Sequence, residues 1–202
     1  MDWQPADWQP AHSDRLDQAC VRIGTRTSTQ SNLKEKTALM DTLLPIATRV
    51  AEILKARKQT IAVAESSAGG LLAASLLAVP GASRYFLGGA VVYTKPARAL
   101  LMGIDDDAMR GLRSSSEPYA MLLARTNQQR FNATWGLAET GASGPTGNSY
   151  GDAAGHTCVA ISGPFENVLT LETASNDRVA NMRTFARAAL ELLEHALQQG
   201  TP

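Results

Sequence analysis

The sequence predicts an α/β domain built on a mixed sheet. Two observations carry that reading. From residue 37 onward, short apolar runs bounded by small or breaker residues alternate with stretches of helical periodicity. Late in the chain, the runs 156–162 and 167–173 are joined only by a few residues around Gly163-Pro164. A link that short makes a hairpin, so at least one antiparallel pair joins the sheet.

The elements follow in order. Leu39, Leu43, Leu44, Ile46, Ala47, Val50, Ile53 and Leu54 recur at helical spacing, and Pro45 starts a second helix after a short first turn. That helix stops near Lys58. Residues 60–64 read as a short buried strand, and 66–70 as a turn of small residues. A helix over 71–78 is closed by Val79-Pro80-Gly81-Ala82. Residues 86–94 read as a second strand, and 96–101 as a short helix with Pro at an early position. An amphipathic helix spans 117–131, a third strand 134–140 and a Gly-rich loop 141–151. The last element is a long helix over 177–198, whose expected buried stripe is Met182, Phe185, Ala189, Leu192, Leu193 and Ala196.

Before residue 37 the pattern is different. The pentapeptide Asp-Trp-Gln-Pro-Ala occurs twice, at Asp2 and Asp7, and residues 13–36 are rich in Ser, Thr, Gln and Arg. Such a segment buries too little apolar surface to offset its ordering entropy. Residues 1–36 are therefore expected to be a disordered tail, and 37–202 the folded domain.

Composition narrows the function classes. The 202 residues carry 19 Lys and Arg against 19 Asp and Glu, which gives no general basic surface for nucleic acid. Cys20 and Cys158 make no disulfide framework. The histidines are His12, His156 and His195, so neither a metal cluster nor a Ser-His-Asp triad is indicated. No run of about 18 apolar residues suggests a membrane span, and the N-terminus does not read as a secretory signal. The cytoplasm is the expected location.

Three loops carry candidate chemistry. Ala64-Glu65-Ser66-Ser67-Ala68-Gly69-Gly70 runs from a strand into a helix. It is either a capped helix start or a place where free N–H groups meet an anion or an oxyanion. Tyr93, Lys95 and Arg98 follow the second strand. They are either solvated strand-end residues or proton-transfer partners for a serine. The loop from Glu139 to His156 is either a plain connection or a backbone cradle for a phosphate or sugar. It lacks the Gly-Lys-Ser/Thr of a nucleotide-binding P-loop.

Taken in order, these segments resemble the CinA C-terminal domain family. Ala64 to Gly70 resembles its Ala-Glu-Ser-Cys-Thr-Gly-Gly motif. Val79 to Ser83 and Tyr85 to Gly89 continue it, and Tyr93-Thr94 resembles the Tyr-Ser before its Asn-x-x-Lys. Ser116-Glu117-Pro118, Gly141-Ala142-Ser143-Gly144-Pro145-Thr146-Gly147 and Asp177-Arg178 match further family segments, over about 135 residues. The resemblance implies a three-layer α/β/α sandwich with a mixed sheet and a homo-oligomer. Members of known activity convert nicotinamide mononucleotide (NMN) to nicotinic acid mononucleotide and ammonia without a metal or other cofactor. The resemblance therefore implies a small-molecule nucleotide substrate. It implies Ser66 as nucleophile, assisted by Tyr93 and a basic residue, Lys95 or Arg98. Glu65, Gly69, Gly70, Gly141, Ser143, Gly144 and Arg178 would hold the substrate. Because the chain lacks the family's frequent N-terminal molybdopterin-binding-like domain, it reads as a stand-alone version.

Three departures stand out. The family lysine falls on Arg98, which cannot act as a general base near neutral pH. The threonine of the first loop falls on Ala68. The second arginine after Asp-Arg appears as Arg183, one position late, which turns it by about 100° on a helix. Two functions follow as expectations: a metal-independent NMN deamidase, or a catalytically degenerate relative that still binds a nucleotide.

Overall fold

The computed structural model describes residues 40–199. The expected tail over 1–36, with its tryptophan repeat, Cys20 and His12, lies outside them. The first long helix, α1 (Leu44–Arg57), has Pro45 in its first turn and Lys58 in a left-handed conformation at its end. Strand β1 (Ile61–Glu65) is buried along its length and leads through the small-residue turn into α2 (Leu71–Leu77). Strand β2 (Phe86–Val91), helix α3 (Glu117–Phe131), strands β3 (Trp135–Ala142), β4 (His156–Ser162) and β5 (Asn167–Glu172), and helix α4 (Arg178–Gln199) complete the order.

The sheet runs β2-β1-β3-β4-β5. β1 is parallel to both β2 and β3, whereas β3, β4 and β5 pair antiparallel. The sheet is mixed for the reason the hairpin suggested. Alternate residues face opposite layers. Ile61, Val63, Leu137, Val159 and Ile161 pack with buried residues of α1, α2 and α4. Ala64, Ala138, Ala160 and Cys158 face α3. The alanines on this second face, and Gly136 beneath the carbonyl of Ala124, let α3 lie close on the sheet. The result is a three-layer α/β/α sandwich.

Two strand ends and one buried stripe differ from the sequence reading. β2 ends at Val91 rather than 94. The Val92 N–H still bonds the Glu65 carbonyl at 2.6 Å, but Thr94 then caps a helical turn, its hydroxyl accepting the Ala97 N–H at 3.2 Å. That turn, Lys95–Ala97, continues as a π-helical turn, Arg98–Met102. β3 runs on to Ala142 because Gly141 and Ala142 pair with Thr157 and His156. On α4, Asn181, Ala186, Ala188, Leu190 and Leu197 are buried alongside Phe185, Ala189, Leu193 and Ala196, while Met182 and Leu192 are only partly covered.

Candidate active site

The turn between β1 and α2 is held from within by two buried carboxylates. Glu65 accepts the N–H groups of Leu72 at 3.1 Å and Ala73 at 3.0 Å. Glu139, on β3, accepts the N–H groups of Ser66 at 3.0 Å and Ala68 at 2.8 Å, and the hydroxyl of Thr157 at 2.9 Å. The Ser67 hydroxyl also donates to Glu139. Burial pushes the Glu65 carboxyl above its usual range; the Ala73 and Leu72 N–H groups oppose that rise, and the charge of Glu139 adds to it. This corrects one expectation. The N–H groups at the start of α2 do not face outward as an anion site, because the side chain of Glu65 already occupies them. Gly69 and Gly70 take left-handed backbone angles, φ 68° and 98°, that complete the turn. Ala68, in place of a threonine, is fully buried behind it.

With the turn's backbone directed inward, the Ser66 side chain is left at the surface of a cavity. Its hydroxyl has no hydrogen-bond partner among the described residues. The cavity holds about 250 Å³ and is bordered by Ser66, Tyr93, Lys95, Arg98, Tyr119 and Thr140, among others. All four residues expected to be catalytic therefore meet at one place, but in different states. Lys95 is exposed and makes no hydrogen bond or ion pair among the described residues. Arg98 is 4% exposed, and its guanidinium turns into the protein. Its Nε donates to the Ile104 carbonyl at 3.0 Å and its Nη2 to Asp106 at 2.5 Å.

A second cavity of about 240 Å³ lies beside the first, lined by Gly141, Ser143, Gly144, Thr146 and Arg178. Tyr93, Gly141 and Asn148 border both cavities. Arg178 opens α4. Its Nη1 donates to the Gly144 carbonyl at 2.5 Å and its Nη2 to the Tyr93 hydroxyl at 3.2 Å. The Ser143 hydroxyl is buried without a partner among the described residues. Among the described residues no Asp or Glu lines either cavity, whereas Lys95, Arg98 and Arg178 do. The pair is thus a polar, cationic cleft suited to an anionic ligand. Of the residues expected to hold substrate, Gly141, Ser143, Gly144 and Arg178 come together there. Glu65, Gly69 and Gly70 lie behind or beside the first loop and border neither cavity.

Sequence reasoning missed the wall that carries Ser114, Ser115 and Tyr119, whereas Asn148 and Tyr150 beside it lie in the candidate loop from Glu139 to His156. An ionic clamp fastens that wall. Arg113 grips Asp152 in a forked pair at 2.6 and 2.9 Å. His156 places Nδ1 2.5 Å from Glu172 and Nε2 2.9 Å from the Ser115 carbonyl. Burial opposes a charge on His156, but Glu172, the Ser115 carbonyl and Asp152 together raise its pKa. Burial likewise opposes ionisation of Asp152, yet Arg113, Asn148 and His156 hold its carboxyl below the usual range. The only sequence signal for the clamp was His156 itself, since ion pairs between distant loops leave no periodicity.

Among the described residues no helix is long and apolar enough to cross a membrane, and no group of three or more His, Cys, Asp or Glu is placed to hold a metal ion.

Residues 43–197 match the model of the CinA C-terminal domain. A CinA-like protein of Gloeobacter violaceus is 37% identical over 154 residues, covering 75% of this chain and 36% of that relative. A CinA-like protein of Desulforapulum autotrophicum is 35% identical over 159 residues, covering 78% and 38%. The chain thus spans little more than a third of the length of these curated relatives. Among solved structures, the competence/damage inducible protein CihA from Agrobacterium tumefaciens superposes with a TM-score of 0.70 at 28% identity, over 78% of this chain and 96% of that one. A CinA superfamily protein from Klebsiella pneumoniae gives a TM-score of 0.73 at 24% identity, over 78% and 98%, a likeness of fold.

Proposed function

The chain belongs to the CinA C-terminal domain family, and we propose that its double cleft is the active site of a metal-independent serine amidohydrolase that converts NMN to nicotinic acid mononucleotide and ammonia. The observation that carries this reading is the placement of Ser66. Its hydroxyl is free at the wall of a cavity that also holds the unpaired amine of Lys95 and the Tyr93 phenol, beside a second cavity marked by Arg178. A carboxamide in the first cavity and a phosphate in the second span the two halves of the nucleotide.

The chemistry then follows from the residues. Ser66 Oγ adds to the carboxamide carbon as its proton passes to a base, the role assigned to the Lys95 amine, with Tyr93 alongside. Collapse of the adduct breaks the C–N bond, and the proton held by Lys95 leaves with the nitrogen as ammonia. Water then hydrolyses the acyl ester to release the carboxylate and restore Ser66. Arg178 grips the phosphate, and that grip holds the amide against Ser66.

One observation favours a second reading, a nucleotide-binding relative without catalysis. The position that resembles the family lysine holds Arg98, which is buried and bonded through Nε to Ile104 and through Nη2 to Asp106. An ammonia-release assay with NMN separates the two. On the first reading the wild type releases ammonia and Ser66→Ala does not, while both bind nicotinic acid mononucleotide in titration calorimetry. A wild type that binds the nucleotide but releases no ammonia establishes the second reading instead.

A further inference from the structure

An acyl transfer at Ser66 needs a hydrogen-bond donor for the carbonyl oxygen, which gains the electron pair of the C=O bond as Ser66 adds to the carbon. The usual source in a strand-turn-helix site is the backbone of the turn, and here much of it is spent. The N–H groups of Leu72 and Ala73 bond Glu65, and those of Ser66 and Ala68 bond Glu139. The Ser67 N–H makes no such bond among the described residues, and a side chain bordering the same cavity as Ser66 offers a further donor.

Tyr119 has the properties required. It lies in the first turn of α3, held there by the Ser116 cap, whose hydroxyl accepts the Tyr119 N–H at 3.4 Å. The residue is 4% exposed, borders the same cavity as Ser66 and Lys95, and its hydroxyl has no hydrogen-bond partner among the described residues. A nearly buried phenol that makes no internal bond and borders an open cavity is suited to a ligand. Burial pushes its pKa up to about 12, with Tyr150 adding to the rise and Arg98 opposing it, so it keeps its proton at any working pH. Tyr93, in contrast, is 59% exposed and tied to Arg178.

We propose that the Tyr119 hydroxyl is a catalytic donor that holds the substrate's carbonyl oxygen when Ser66 adds to the adjacent carbon. It transfers no proton; it donates one hydrogen bond that strengthens as negative charge develops on the oxygen. This rests on the amidohydrolase reading above.

Tyr119→Phe tests it, because the change removes only an oxygen without an internal partner. Ammonia release from NMN is followed for the wild type and the variant, with kcat and KM measured separately and melting temperature recorded. The expected result is a kcat lower by about 100-fold, with KM and melting temperature close to wild type. A variant whose kcat stays within about threefold of the wild type overturns the assignment and leaves the amidohydrolase reading intact. A variant whose loss appears in KM alone also overturns it, since the hydroxyl would then serve binding of the ground state. A wild type that releases no ammonia overturns the amidohydrolase reading, and this assignment with it.

Discussion

The backbone N–H of Ser66 donates to Glu139 at 3.0 Å, across 73 positions of sequence. That bond ties the candidate nucleophile on the β1–α2 turn to β3, the strand that pairs parallel with β1. Ser67, Ala68 and Thr157 bond the same carboxylate. Glu139→Ala leaves three donors, the Ser66 and Ala68 N–H groups and the Ser67 hydroxyl, without an acceptor, while the Thr157 hydroxyl keeps the Thr140 carbonyl at 3.3 Å. The expected cost is at least ~3 kcal/mol of stability, given about 1–3 kcal/mol for each group that finds no substitute partner. Urea unfolding measures it. A midpoint equal to that of the wild type would mean that the turn is held by something other than Glu139.

Arg98 and Lys95 are expected to separate into a structural and a functional residue. Arg98→Lys replaces a forked, buried guanidinium with a single ammonium. Because Asp106 is largely exposed, most of the loss comes from the bond to the Ile104 carbonyl, about 1–2 kcal/mol. No gain in ammonia release is expected, although the resemblance alone suggested one. Lys95→Ala is expected to leave stability unchanged, since the amine has no partner among the described residues, and to abolish turnover. A rise in turnover for Arg98→Lys would reverse the two roles.

His156 makes stability depend on pH. Both ring nitrogens face acceptors, so the native state favours the doubly protonated ring, and its folded pKa lies above the usual 6.5. The folded state therefore binds the proton more tightly than the unfolded chain. The resulting stabilisation is complete below about pH 6.5 and is lost as pH rises through the raised folded value. Melting temperature should fall over that window, and His156→Gln should flatten the slope. An identical slope in the variant would place the titrating group elsewhere. Since His156 fastens the Ser115 carbonyl at the cavity wall, ligand affinity is expected to weaken over the same window.

Much of the scaffold could be read in the sequence because it rests on local signals. The apolar run 61–64, Pro45, the Gly163-Pro164 turn and the long stripe ending in Ala196 each act through their own neighbours. The first candidate loop was legible as a place, but its internal wiring was not. Whether Glu65 faces a ligand or the start of α2 depends on the direction of one side chain seven positions before Leu72. Glu139 marked only the start of a glycine-rich stretch, yet its partners come from the other end of the turn. Tyr119 looked like one apolar position of an amphipathic helix. Its value as a donor exists only because the fold sets it at the same cavity as Ser66 with no hydroxyl partner among the described residues.

Asn127 is a polar residue of α3 that the sequence reading did not single out. It is fully buried on α3, and neither its Nδ2 nor its Oδ1 has a partner among the described residues. Replacing an unsatisfied amide by an apolar group of similar size removes a desolvation cost of about 1–3 kcal/mol. Asn127→Leu is expected to raise the urea midpoint. A lower midpoint would indicate that the amide holds a buried water or that the space is too narrow for the branched side chain.

Arg178 offers a test of which end of the ligand sits where. It joins the glycine loop to Tyr93 at the boundary of the two cavities, through bonds of 2.5 Å to the Gly144 carbonyl and 3.2 Å to the Tyr93 hydroxyl. If the second cavity takes the phosphate, Arg178→Gln removes a charge-assisted contact of about 1.5–3 kcal/mol. That loss corresponds to roughly 10- to 150-fold in affinity for nicotinic acid mononucleotide. The matching riboside, which lacks the phosphate, should bind the wild type and the variant equally. Titration calorimetry with both ligands reads the difference directly and needs no turnover, so it applies whether or not the protein is an active enzyme. Added salt should narrow the gap between the two ligands, because Arg178 is exposed. Equal losses for nucleotide and riboside would show that Arg178 acts through the loop it braces rather than on the phosphate. The second cavity would then lose its assignment.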